Sequence, residues 1–201
     1  MPPVPRQVPM FAAEPPQEPL PYGRWGEALG AQFVAAAPEG KEIEVAEIAW
    51  FPERTWGGRT YVPATAPAGD GEVFGYVSYT REHEGAQAAD FTATADFTEE
   101  TAEHNPDWTL DLSDEEIGFW RGPEGRRGVI TLVWGVALVP NGAAVTTELG
   151  PTTTDQCDLI DNRFTLVSLD AYTGDYVEVA LFGARGAELA RESLYEDDEP
   201  E

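Results

Sequence analysis

The run GVITLVWGVALV, residues 128 to 139, sets the reading of the whole chain. Eleven of its twelve residues are apolar or glycine, and Val129, Ile130, Thr131, Val133, Val136 and Val139 are β-branched. That composition suits a strand covered on both faces better than a helix. The run is shorter than the roughly 18 apolar residues that argue for a membrane span. Gly135 in its middle implies a bulge or a close approach by neighbouring backbone, and Trp134 adds a large ring.

Working outward, RGPEGRRG (121 to 128) is a turn-rich link that makes Trp120 and the central run hairpin partners. Before it, Trp108, Leu110 and Leu112 alternate as a strand. Ser113 and Glu116 have capping-box spacing but precede the strand-like Ile117, Gly118, Phe119 and Trp120, so a turn is expected between the two segments. On the far side, Asn141-Gly142 signals a tight turn into a strand at Val145 to Thr147. GPTTTDQCDLIDN (150 to 162) reads as the longest polar loop of the folded region. Residues 163–195 read as three strands, turning at Tyr172 to Asp175 and at Gly183 to Gly186.

Further towards the N-terminus, Phe91, Ala93, Ala95 and Phe97 alternate with Asp90, Thr92, Thr94 and Asp96, one set for a core and one for water. Residues 72–80 form another strand. FPERTWGGRTYVP (51 to 63) is a long turn or irregular hairpin with Gly57 and Gly58 at its tip, and Ile43, Val45, Ile48 and Trp50 are expected on a strand with a slip near Ala46 and Glu47. Trp25, Leu29 and Phe33, at i, i+4 and i+8, lie on one face of a short helix ended by Pro38 and Gly40. Residues 1–21 carry eight of the 17 prolines and should be extended, partly polyproline II. Short strands with regular turn signals argue for an all-β fold, an antiparallel β-sandwich of jelly-roll or immunoglobulin-like type. The expected division is an arm and helix over 1–38, a sandwich over 39–195 and an acidic tail over 196–201.

Composition bounds the function. The 37 acidic and 12 basic residues give a formal net charge of −25, a surface that repels phosphate backbones, so no nucleic-acid partner is expected. One cysteine excludes an internal disulfide. The N-terminus has neither the basic region nor the apolar core of a signal peptide. No membrane partner is expected, and the reading is of a soluble protein, cytoplasmic when made and kept inside unless it leaves as part of an assembly.

Chemical motifs are sparse. His83 and His104 sit in acidic loops without HxH or HExxH spacing and read as solvated. Asp155, Asp158 and Asp161 in the Cys157 loop offer hard oxygens of the kind that suit calcium, though not at EF-hand spacing; no cofactor is otherwise expected. Cys157 has no histidine nearby in sequence to activate it, and no carboxylate pair stands out for glycoside cleavage. The chain is therefore expected to be no enzyme. Phe51, Trp56 and Tyr61 on the glycine-tipped hairpin are candidate ligand-binding rings, able to stack on sugars or anchor an interface unless they fold inward.

A proline-rich arm, a short aromatic helix and an acidic all-β body together resemble the accessory proteins of bacteriophage particles, such as head decoration or tail proteins. The resemblance implies a structural attachment protein whose Trp25, Leu29 and Phe33 bury into a protein partner reached through the arm, with a homo-oligomer as a further option. The alternatives are a lectin-like, carbohydrate-binding sandwich using Trp56 and Tyr61, with or without calcium, and the helix packing on its own β domain.

Overall fold

A computed structural model of the chain describes residues 13, 14, 16, 24–83, 86–121, 127–170 and 177–194. Most of the expected arm over 1–21, the turn at 172–175 and the acidic tail lie outside the described residues. The described residues are all-β and antiparallel, with one short α-helix, and form two compact units: residues 14–108, and those from Thr109 onward together with Ala13.

In the first unit, helix α1 (Gly26–Ala36) leads through a 3-10 turn (Val45–Glu47) to strands β1 (Ala49–Trp50), β2 (Arg54–Trp56), β3 (Arg59–Ala68), β4 (Gly71–Thr80) and β5 (Ala89–Thr98). The sheet order is β1-β3-β4-β5, with β2 also pairing β3. The expected strand over Ile43 to Trp50 is thus mostly replaced by the 3-10 turn. Val45 is 55% exposed and lies against the helix, where a Cβ on Gly30 would come within 3.0 Å of its Cγ1, so the chain bends at the break in alternation rather than running straight. Gly57 and Gly58, with φ of 62° and 80°, make the two-residue turn of the β2–β3 hairpin, a backbone that suits glycine. Alternation in β5 holds residue by residue: Phe91, Ala93, Ala95 and Phe97 pack on the core, while Asp90, Thr92, Thr94 and Asp96 are exposed.

The second unit contains β6 (Leu110–Arg121), β7 (Arg127–Ala137), β8 (Gly142–Leu149), β9 (Thr152–Asp158), β10 (Arg163–Asp170), β11 (Val177–Gly183) and β12 (Glu188–Ser193). One sheet is ordered β10-β7-β6 and the other β12-β11-β8-β9, with Val133 and Leu166 from the first and Val145, Val179 and Leu181 from the second in a common core. This is a β-sandwich. The central run is β7, buried from Gly128 to Gly135 on both faces, with Ile130, Leu132 and Trp134 as withdrawn from solvent as Val133. Gly135 marks a close approach, since a Cβ there would collide with the Asp111 carbonyl oxygen of β6.

Two expectations fail here. No turn separates Leu112 from Ile117, because β6 runs through as one strand and absorbs the irregularity as a bulge between Glu116 and Gly118. Nor is 150–162 a loop: Thr152–Asp158 is a strand paired with β8, and the chain turns at Asp161 and Asn162, with φ of 50° and 63°. Its threonines are β-branched and suit a pleated sheet, and the Thr154 hydroxyl is satisfied internally by Thr147 and Ser168.

Candidate functional site

Trp25, Leu29 and Phe33 are not offered to a partner. They are 7%, 0% and 0% exposed and join Trp50, Val77 and Tyr79 in the core of the first unit, with the Phe33 and Trp50 rings 5.9 Å apart and those of Trp25 and Tyr79 6.3 Å apart. A helix interrupted by Gly26 and Gly30 gains its stability from such packing, and here its own sheet supplies it.

Of the hairpin rings, Phe51 and Tyr61 are also buried, and Trp56 is half-buried beside Gly57. Pairing of Trp56 with Arg59, Tyr61 with Ser78, and Ser78 with Thr92 gathers Trp56, Tyr61 and Tyr76 with Arg59, Thr92 and Thr94 on the sheet face opposite the helix. Tyr61 and Tyr76 meet edge to face at 5.6 Å. Burial, then the neighbouring Tyr76, raises the Tyr61 hydroxyl pKa, while Arg59 pulls the other way. Beside them Arg59 donates to Ser78 Oγ at 2.8 Å, Thr92 Oγ1 at 2.8 Å and the Asp90 carbonyl at 2.6 Å, and Ser78 and Thr92 share a 2.9 Å bond. Under the opposite face, Tyr79 donates to Glu53 at 2.9 Å and Arg81 lies 3.9 Å from the same carboxylate, which keeps a fully buried Glu53 partnered.

The calcium candidates are dispersed by function within the fold. Asp155 is fully buried on β9, where one carboxylate oxygen accepts the Val167 N–H of β10 at 2.9 Å and the other the Gln156 N–H at 2.8 Å; Asp158 ends the strand and Asp161 is in the exposed turn. Thr154 Oγ1 meets Thr147 Oγ1 at 3.0 Å and Ser168 Oγ at 2.9 Å, so β9 ties one sheet of the sandwich to the other by hydrogen bonds. Among the described residues no group of three or more His, Cys, Asp or Glu is placed to hold a metal ion. His83 and His104 are exposed in separate loops, and Cys157 is partly buried against the sandwich core.

Sequence reasoning missed two features. Phe119 on β6 is 79% exposed, the most exposed large apolar side chain described, while its neighbour Trp120 is pinned by an indole N–H donated to the Asp170 carbonyl at 2.9 Å. Treating 117–120 only as strand formers hid which ring would face out. The second is the acid run of the same strand. Asp114 is an exposed residue whose carboxyl is nonetheless hemmed in: local loss of water, then the charges of Glu115, Asp170 and Glu116, push it up to about 6. The described helices include none long and apolar enough to cross a membrane. No protein-family model, curated protein or solved structure matches the chain, so its function rests on these geometries.

Proposed function

We propose that the protein is a non-enzymatic attachment module of a larger assembly, with Phe119 as its anchor. A bacteriophage particle, in which it would be a head decoration or tail component, is the assembly in view. The observation that carries the reading is the 79% exposure of Phe119 on a strand held in place by the Trp120 bond. A ring so placed loses little conformational freedom on docking, and aromatic anchors dominate interface energetics. The attachment element moves with this reading from the helix to β6. The test compares particles purified from cultures producing the wild-type protein or Phe119→Ala, with the protein quantified by mass spectrometry. Stoichiometric wild-type protein and at least tenfold less of a folded Phe119→Ala variant is expected; wild-type protein absent from particles overturns the reading.

A second reading, a carbohydrate-binding face, draws support from the gathering of Trp56 and Tyr76 with the hydroxyls of Thr92 and Thr94 on one sheet face. Glycan-array binding abolished by Trp56→Ala would favour it, and an array without signal would count against it.

A further inference from the structure

Strand β5 is the last strand of its sheet. Phe97 N–H is taken by the carboxylate of its own neighbour Asp96, at 2.8 Å, which marks Phe97 as a residue whose backbone points away from β4. By alternation Ala95, Ala93 and Phe91 point the same way. The straight part of the edge begins after Asp90, where φ is 51° and the β4 pairing shifts. It contains neither proline nor lysine, the usual guards of an edge. Of the other sheet ends, β1 is two residues long, β6 is bulged and acidic, β12 is six residues long and carries Glu188, Arg191 and Glu192, and β9 and β10 are bonded to each other through Thr154–Ser168 and Asp155–Val167.

The sequence of this edge is self-complementary. Laid antiparallel on a second copy with Thr94 opposite itself, FTATADF places Phe91 opposite Phe97, Ala93 opposite Ala95 and Thr92 opposite Asp96, with Asp90 opposite Thr98 just outside. The register puts the outward-pointing Phe91, Ala93, Ala95 and Phe97 in the hydrogen-bonded positions, as an antiparallel ladder requires. It sets no two carboxylates face to face, although Asp is the only charged residue type on the strand. We propose that β5 is a homodimer edge, joining two copies of the chain into one continuous sheet about a twofold axis at Thr94. On forming it, the Phe97 N–H exchanges Asp96 for the Phe91 carbonyl of the second copy, and Thr92 of that copy offers its hydroxyl to the freed carboxylate. Each copy carries a formal charge of −25, so the dimer tightens as salt screens the repulsion between bodies. The proposal stands independently of the attachment reading, because its tests need no third component.

The experiment measures the mass of the full chain by light scattering after size exclusion, at low and high salt. It is joined to oxidative cross-linking of Thr94→Cys and Thr92→Cys, both in a Cys157→Ser background. A non-hydrogen-bonded pair on the axis brings the two Cα atoms to about 4.5 Å, within disulfide reach. The expected result is a salt-strengthened dimer in which Thr94→Cys cross-links at least tenfold faster than Thr92→Cys. Thr94→Asp, on an exposed site, should raise the dissociation constant at least tenfold with an unchanged circular dichroism spectrum. A monomer at every salt and concentration overturns the proposal. So does a dimer that cross-links no better at 94 than at 92, since another surface then makes it.

Discussion

The two units close their cores by different chemistry. Residues 14–108 cover one sheet face with a helix, and the contacts are ring on ring and ring on aliphatic: Trp25, Phe33, Trp50, Tyr79 and Phe91. The sandwich that follows is apolar around Val133, Phe164 and Leu166, but Thr147, Thr154, Asp155 and Ser168 join its sheets by hydrogen bonds without solvent. Apolar packing is tolerant of direction and scales with buried area, whereas a buried polar network is stable only when every member finds its partner. The first unit should therefore lose stability in proportion to volume removed, and the second in proportion to partners orphaned.

The strongest way to break this contrast is Phe33→Ala. Removing a fully buried ring from the helix contact should cost about 3–5 kcal/mol. Amide hydrogen exchange would show the loss in α1, β4 and β5. A cost under about 1 kcal/mol would mean that the helix is an accessory rather than the lid of that core. Next is Asp155→Ala, which removes little apolar volume but leaves the buried Val167 N–H without its acceptor. A cost of about 1–3 kcal/mol is expected, with faster exchange at Val167. A neutral outcome would show that the tie between the sheets is dispensable.

The smallest effect sharpens the comparison through pH. Asp114 has its folded pKa raised to about 6, so its ionisation weakens the folded state. The penalty is absent below the ordinary carboxylate range near 4, grows as pH rises towards 6, and is complete above it. Asp114→Asn should stabilise the protein at pH 7 by about 0.5 kcal/mol or less, given the solvent screening at so exposed a residue, and leave it unchanged near pH 4. Thermal unfolding of both proteins across that range checks the sign. A variant less stable at pH 7 would show that the carboxylate contributes a bond instead of a repulsion.

The elements that could be read in advance are those whose side chains report directly on burial. Strand β5 and the doubly covered β7 were legible because alternation and continuous apolar character encode how many faces are shielded, and Gly57-Gly58 and Asn141 because the tight turns around them take positive φ. Strand β9 was illegible for the opposite reason. Threonine and aspartate look the same in sequence whether water or Ser168 and Val167 satisfy them. The same ambiguity scattered the calcium candidates and hid the partner of Asp155.

What the sequence determined by itself is the class and its punctuation: strands, turns, one helix face formed by Trp25, Leu29 and Phe33, and an acidic surface. Local covalent geometry and side-chain polarity fix these without reference to distant residues. Only the tertiary structure decided what each apolar surface meets. It turned the helix face towards its own sheet, buried Phe51 and Tyr61, left Phe119 in solvent and β5 at a sheet end. Burial is a property of contacts between segments far apart in the chain, and no single segment carries the information for it.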